Sequence, residues 1–493
     1  MWRPWTLIAG VAIACLPPLS SPAWSQTSGP EARELAQRLE RLIARSAPPE
    51  AHVGVSIRRL GSGQVIYERE AQKLFTPASV QKIATAGAAL SLLGLNRRFV
   101  TRLQTPAPLE RGVLQGDVFL RGEGDPMLEP QDLSRLAAQL SAAGVKEIDG
   151  DVVGDASVFA PESRGPAGWS WDDLENGYAA TVSGLSLHRN ALDVLVTPGG
   201  RVGEGVRLRL MPRSTYMQVL NRATTLPAGE QGMLGIELQP GAPTAWGEIL
   251  MVRGGLPAGT QEERNQLAVQ EPARLATHVF REALIQQGVR VRGQAKLGTT
   301  PPGSRTLGSV ESPPLADITS EMLRTSDNLL AETLLLQLGA KVRGTPGTWD
   351  KGLAELRAYL DQVGWQANSY RIADGSGLSR YNAWSPAHLA RLLNHLPTQR
   401  QSYPAVLVGL PISGINGTLA QRLNQPALRG RLRAKTGTMS GVSSLAGYLE
   451  ARDGQQVVLA IMTNGFVGSP SKLRELQDQI VATVADPDTP EAP

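Results

Sequence analysis

Apolar residues recur along this chain with two periods, and the changes between them mark out its elements. Leu35, Leu39, Leu42 and Ile43 fall near one face of Glu31–Ala44, which predicts an amphipathic helix. His52–Arg59 alternates as a strand, Gly61-Ser62-Gly63 is a turn, and Gln64–Tyr67 starts a returning strand. Thr76 is placed to cap, and Pro77 to open, a helix that runs through Ser79 to Leu93. From about residue 100 to 300 strands and turns dominate, with helices predicted over Gln131–Ala143 and Pro272–Gly288. Thr299–Ser304 reads as a linker and residues 315–340 as helix. Arg433–Gly437 and Val442–Asn464 read as strands, with Asp453-Gly454 as a hairpin turn, and a helix follows at about 470–484.

This order predicts an α+β, multi-domain chain. Strands from its two ends share one antiparallel sheet with helices on both sides, interrupted by a large mostly-β insertion. The expected division is 26–104 and 301–484 for the two parts of the main domain. The insertion, as one domain or two, takes 105–300, and 485–493 is a flexible tail.

The first 25 residues do not fit that plan. Arg3 precedes an apolar stretch from Trp5 to Leu16 that is too short to span a bilayer, and Pro17 and Pro18 end it. Ala23-Trp24-Ser25 supplies small residues for cleavage, so 1–25 is expected to be a signal peptide. Lipidation of Cys15 is an alternative, although the usual Leu three residues before it is missing. No later stretch is apolar enough for a transmembrane helix, so the mature chain is expected to be exported, to a periplasm or cell-wall space.

Composition narrows the chemistry. A length of 493 residues exceeds one ordinary domain. A net charge of +4 is too small for a dedicated nucleic-acid binder. Cys15 is the only cysteine, which excludes an internal disulfide framework and Cys-rich metal sites. His388 and His395 lie seven positions apart, and no His-Glu-x-x-His occurs, so no metal or other cofactor is implied. Gly375-Ser376-Gly377 is not the nucleophile elbow of an α/β-hydrolase.

Three short motifs follow one another: Ser79-Val80-Gln81-Lys82, Ser326-Asp327-Asn328 and Lys435-Thr436-Gly437. A serine hydroxyl is a weak nucleophile that needs a neighbouring base. Positions i and i+3 share a helix face, so Lys82 can reach Ser79. Lysine acts as a base only when desolvation or nearby positive charge removes its proton. Lys435 is a candidate source of that charge and an attractor of an anionic substrate. Ser326 and Asn328 are suited to relay a proton and to hold a substrate amide. An edge strand carrying Lys435–Thr438 can bind an extended peptide by strand addition. The amides of Ser79 and Thr438 can form an oxyanion hole, and Gly437 permits close backbone approach there. A second Ser-x-x-Lys, Ser469–Lys472, reads as the start of the terminal helix.

The ordered trio resembles the motif set of serine β-lactamases and penicillin-binding proteins. The spacing of 247 positions from Ser79 to Ser326 leaves room for an insertion that a compact β-lactamase lacks. Segments such as Gly124-Asp125-Pro126, Asn328-Leu329-Leu330-Ala331-Glu332, Asp374–Arg380 and Gly417-Thr418-Leu419 extend the likeness. The chain is similar to class C low-molecular-mass penicillin-binding proteins, which are D-alanyl-D-alanine carboxypeptidases and endopeptidases. The resemblance implies a transpeptidase-like domain, peptidoglycan stem peptides and cross-links as substrates, and β-lactams as covalent inhibitors. It implies Ser79 as the acylated nucleophile, Lys82 as base, and Ser326, Asn328 and Lys435 as the proton network. Thr436 and Thr438 would bind the terminal carboxylate. Asp173, with Tyr178 beside it, would meet a diaminopimelate side chain, Asp172 being a competitor, and Arg380, Met439 and Ser440 would line the same end. A homo-oligomer stays open. The alternatives are a serine β-lactamase and a non-catalytic peptidoglycan-binding protein.

Overall fold

The computed structural model describes residues 30–160, 165–241 and 247–486; the expected leader with Cys15 and nearly all of the tail lie outside these residues. The main domain is built on five antiparallel strands. They are β1 (His52–Arg59), β2 (Val65–Arg69), β3 (Leu432–Met439), β4 (Val442–Glu450) and β5 (Gln456–Asn464), in the order β3-β4-β5-β1-β2. The two chain ends therefore meet inside one sheet, with Val55 opposite Ile461.

Period-two alternation on β5 explains the layering. Val457, Leu459 and Ile461 join Val53, Val55 and Ile57 beneath α1 (Pro30–Ser46) and the terminal helix, where Leu39, Ile43, Leu473 and Ile480 cover them. Val458, Ala460 and Met462 face the opposite way, into the larger core around α2 (Lys82–Leu93). Both faces of the sheet are thus apolar, so helices pack on both.

Next in this second layer come α3 (Leu315–Thr325) and α4 (Asn328–Arg343). Helix α2 is buried on every side from Lys82 to Leu90, as a helix apolar all round should be. Gly87 makes room for a neighbour: a methyl there would lie 2.5 Å from the Tyr359 hydroxyl.

The insertion is less purely antiparallel than its sequence suggests. Val118–Gly122 and Ala295–Leu297 both run parallel to Val152–Asp155. Parallel neighbours need a crossover, and helices Pro130–Ala142 and Pro272–Gln286 supply the two. The same sheet takes in Val100–Thr105 and Arg305–Glu311, two strands that lie, but for Thr105, outside the 105–300 span expected for the insertion. One continuous apolar core, from Leu103 through Leu192 and Leu250 to Val310, serves all the insertion sheets.

One local expectation is corrected. Thr76 does not cap a helix beginning at Pro77. Ala78 is left-handed, at φ 52°, and residues Ala78–Gln81 form a 3-10 turn before α2 begins at Lys82. The Thr76 N–H is taken by Asn464 Oδ1 of β5 instead, at 2.7 Å.

Candidate active site

The strained turn at Ala78 is enforced from two sides. A methyl group on Gly377, itself at φ 86°, would lie 2.0 Å from the Ala78 carbonyl. One on Gly437 of edge strand β3 would lie 2.9 Å from the Pro77 carbonyl and 3.0 Å from Ser79 N. Both glycines let backbone press against the serine turn at distances that a side chain forbids.

Lys82 is the first residue of α2 and is fully buried. Its Nζ contacts Ser79 Oγ at 2.9 Å, Asn328 Oδ1 at 2.6 Å and the Ser376 carbonyl at 2.8 Å. Burial pushes its pKa down to about 8, against the opposing pull of Asp374, Glu332 and Asp327. A neutral amine keeps two N–H groups and one lone pair. The two N–H groups suit Asn328 and Ser376, which leaves the lone pair directed at the Ser79 hydroxyl.

Lys435, on β3, is also fully buried, and its Nζ donates to Ser326 Oγ and to the Thr436 carbonyl, each at 2.8 Å. Burial first, and then the Lys82 charge, hold it well below the usual lysine range. Of the two routes left open for deprotonating Lys82, desolvation and a nearby positive charge, desolvation dominates. Ser326 sits in a left-handed cap between α3 and α4, at φ 67°, a conformation that costs about 1–2 kcal/mol for a residue with a Cβ. The Asp327 side chain caps α4 through Leu330 N. Asn328 is thereby fixed between Lys82 and the insertion, its Nδ2 donating to the Tyr178 carbonyl at 2.8 Å.

At the rim, Tyr178 Oη donates to Asp173 Oδ1 at 2.6 Å, while Asp172 is exposed. Arg380 Nη1 donates to the Ser440 carbonyl at 3.2 Å, next to half-buried Met439 at the end of β3. Thr436 Oγ1 meets Thr418 Oγ1 at 2.7 Å, and Thr438 is exposed. Ser469 lies apart from this cluster, its hydroxyl accepting from Ser471 N at the start of the terminal helix. Among the described residues no group of three or more His, Cys, Asp or Glu is placed to hold a metal ion.

Two buried carboxylates, Glu332 and Asp374, lie in segments that carry the resemblance but have no role assigned from sequence. Asp374 accepts from Gln81 Nε2, Trp169 Nε1, Asn382 Nδ2 and the amides of Gly377 and Ser379. It thereby ties the serine turn, the insertion and the Arg380 loop together. Glu332, in α4, accepts from Trp349 Nε1 and from the amides of Gly375 and Ser376. Burial and the neighbouring Asp374 raise its pKa. A Glu inside the Leu-rich run of α4 was the available signal.

A half-buried serine bonded to a fully buried lysine beside an antiparallel sheet, with a second buried lysine on the edge strand, defines a serine hydrolase of the β-lactamase and penicillin-binding type. The family model for the D-Ala-D-Ala carboxypeptidase 3 (S13) family matches residues 35–486, and the chain belongs to this family. It is 34% identical over 484 residues to a D-alanyl-D-alanine carboxypeptidase of Actinomadura sp. (strain R39), covering 95% of this chain and 87% of the relative. It is 27% identical over 426 residues to the D-alanyl-D-alanine carboxypeptidase DacB of Haemophilus influenzae, covering 86% and 88%. The crystal structure of penicillin binding protein 4 (dacB) from Haemophilus influenzae superposes with a TM-score of 0.81 at 25% identity, covering 91% of this chain and 99% of that one. The chain is thus a serine-type D-Ala-D-Ala carboxypeptidase of the low-molecular-mass penicillin-binding class.

Gly437→Ala tests the close approach of β3. The added methyl must push β3 off the serine turn, so release of D-Ala from a D-Ala-D-Ala peptide is expected to fall at least about tenfold. The thermal midpoint is expected to shift by only a few degrees.

Proposed function

We propose that Ser79 is the acylated nucleophile and that Lys82, Asn328, Ser326 and Lys435 carry its protons. The observation that bears most weight is the fully buried Lys82, hydrogen-bonded to Ser79 Oγ and Asn328 Oδ1. In this reading Ser79 Oγ attacks the carbonyl carbon of the penultimate D-Ala and Lys82 Nζ takes the hydroxyl proton. The amides of Ser79 and Thr438 receive the oxyanion. The C–N bond breaks, the terminal D-Ala amine takes a proton through Ser326 and Lys435, and water then hydrolyses the ester. Lys435, Thr436 and Thr438 bind the substrate's terminal carboxylate, with Thr418 as a further hydroxyl, and Gly437 keeps β3 close.

The same centre is proposed to cut a D-Ala–diaminopimelate cross-link, because there too D-Ala is the acyl donor. Asp173, Tyr178, Arg380, Met439 and Ser440 form the end of the cleft suited to a diaminopimelate side chain. The Tyr178 hydrogen bond to Asp173 favours it over exposed Asp172. A β-lactam, a strained amide, would acylate Ser79. The Haemophilus influenzae protein has been solved complexed with a β-lactam. The leader pattern of residues 1–25 supports export to a periplasmic or cell-wall space, and among the described residues no helix is long and apolar enough to cross a membrane.

Ser79→Ala is expected to abolish labelling by a fluorescent penicillin and release of D-Ala from pentapeptide, with the products weighed by mass spectrometry. Mass analysis of a cross-linked dimer reads the endopeptidase activity in the same way. A pH series checks the base. Lys82 accepts a proton only when neutral, so the acylation rate should fall about tenfold per pH unit below its pKa of about 8.

A further inference from the structure

Three consecutive residues of the insertion, His188, Arg189 and Asn190, hold left-handed backbone angles, at φ 48°, 56° and 53°. Side-chain-bearing residues adopt such a run only when their surroundings hold it in place. The His188 ring is bridged between Glu129 at 2.7 Å and Asp193 at 3.1 Å. Asn190 Oδ1 accepts from Leu187 N, and its Nδ2 donates to the Thr181 carbonyl and Ser186 Oγ. Arg189, between these two anchors, sends its guanidinium out of the insertion to Asp327, with Nη1 donating to Oδ2 at 3.0 Å. Both side chains are about one-fifth exposed, at 23% and 22%.

Asp327 is the middle residue of the second motif. Its Oδ1 caps α4, the next residue carries the amide oxygen that meets Lys82, and the preceding residue carries the hydroxyl that meets Lys435. We infer that Arg189 is a positioning residue for the catalytic centre: by binding and neutralising Asp327 it holds Ser326 and Asn328 in place and limits the negative charge acting on Lys82. This inference rests on Lys82 being the base.

The electrostatic setting makes the role separable from mere packing. Lys82 faces the carboxylates Asp374, Glu332 and Asp327 and, on the β3 side, Lys435. Asp374 and Glu332 are held by amides, an indole or other neutral donors, whereas Asp327 is held by a cation. Losing Arg189 leaves the Asp327 charge uncompensated, which favours the Lys82 ammonium and withdraws the base. Arg189 also acts on buried Asp125, which lies near Glu129 and Asp132. Replacing Asp327 as well isolates the route through the second motif from that through Asp125.

The test is the rate of acylation by a fluorescent penicillin between about pH 5 and 10, with the thermal midpoint recorded alongside. It uses the wild type, R189Q, R189K, D327N and R189Q/D327N. For R189Q the rising limb is expected about half to one pH unit higher, with acylation at neutral pH about three- to tenfold slower. R189K is expected to restore most of the rate, D327N to move the limb the other way, and the double variant to return near the wild type. An R189Q profile that overlays the wild type contradicts the inference. So does a loss by one factor at every pH that R189K does not relieve. If R189Q fails to fold, the direction of the D327N limb decides. A wild type with no limb near its expected pH contradicts Lys82 as base instead, and Arg189 is then judged by whether R189K regains the rate lost in R189Q.

Discussion

The Lys82 ammonium is withdrawn from water, and an unpaired charge in that position is among the most expensive features a protein interior can hold. Three hydrogen-bond acceptors and three nearby carboxylates offset the cost without removing it, and the remaining penalty makes the amine ready to give up its proton. The surrounding layers serve this balance. Helix α2 is apolar all round because it must bury the lysine at its first turn. Glycines at 377 and 437 let two backbone segments close over the serine turn. Asp374 and Glu332 spend their lone pairs on amides and indoles, which places both carboxyl groups where their charge opposes the effect of burial on Lys82.

The elements of the main domain were legible because local pattern and tertiary role agree there. β1 and the strands from 432 to 464 alternate between two cores, and the Asp453-Gly454 turn joins β4 to β5 without ambiguity. Disagreement arises where distant backbone intervenes. The serine turn departs from the helix predicted through Pro77 because Gly377 and β3 press on Ala78, and nothing local encodes that contact. Parallel pairing in the insertion was hidden for the same reason: a strand's own alternation does not specify the direction of its neighbour.

The three motifs were readable because their residue types carry the chemistry themselves. Supporting groups were not, since an Asp or Glu in sequence defaults to a solvated surface. Asp374 is a buried hub with donors from the serine turn, the insertion and its own loop, and only the fold brings these together. The insertion likewise reads as an appended domain, yet Tyr178 and Arg189 bond to the second motif and Trp169 to Asp374. In the proposed mechanism it holds the second motif in place as well as flanking the cleft.

The central claim concerns one proton, and the chain is favourable for observing it. Forty-nine basic residues include only eight lysines. Selective labelling of lysine side chains therefore gives a sparse NMR spectrum, in which Lys82 is assigned by the signal lost in Lys82→Arg. The account predicts that this signal titrates near pH 8, well below a solvated lysine. A Lys82 that keeps its proton to the ordinary lysine range, about pH 10.4, would contradict it.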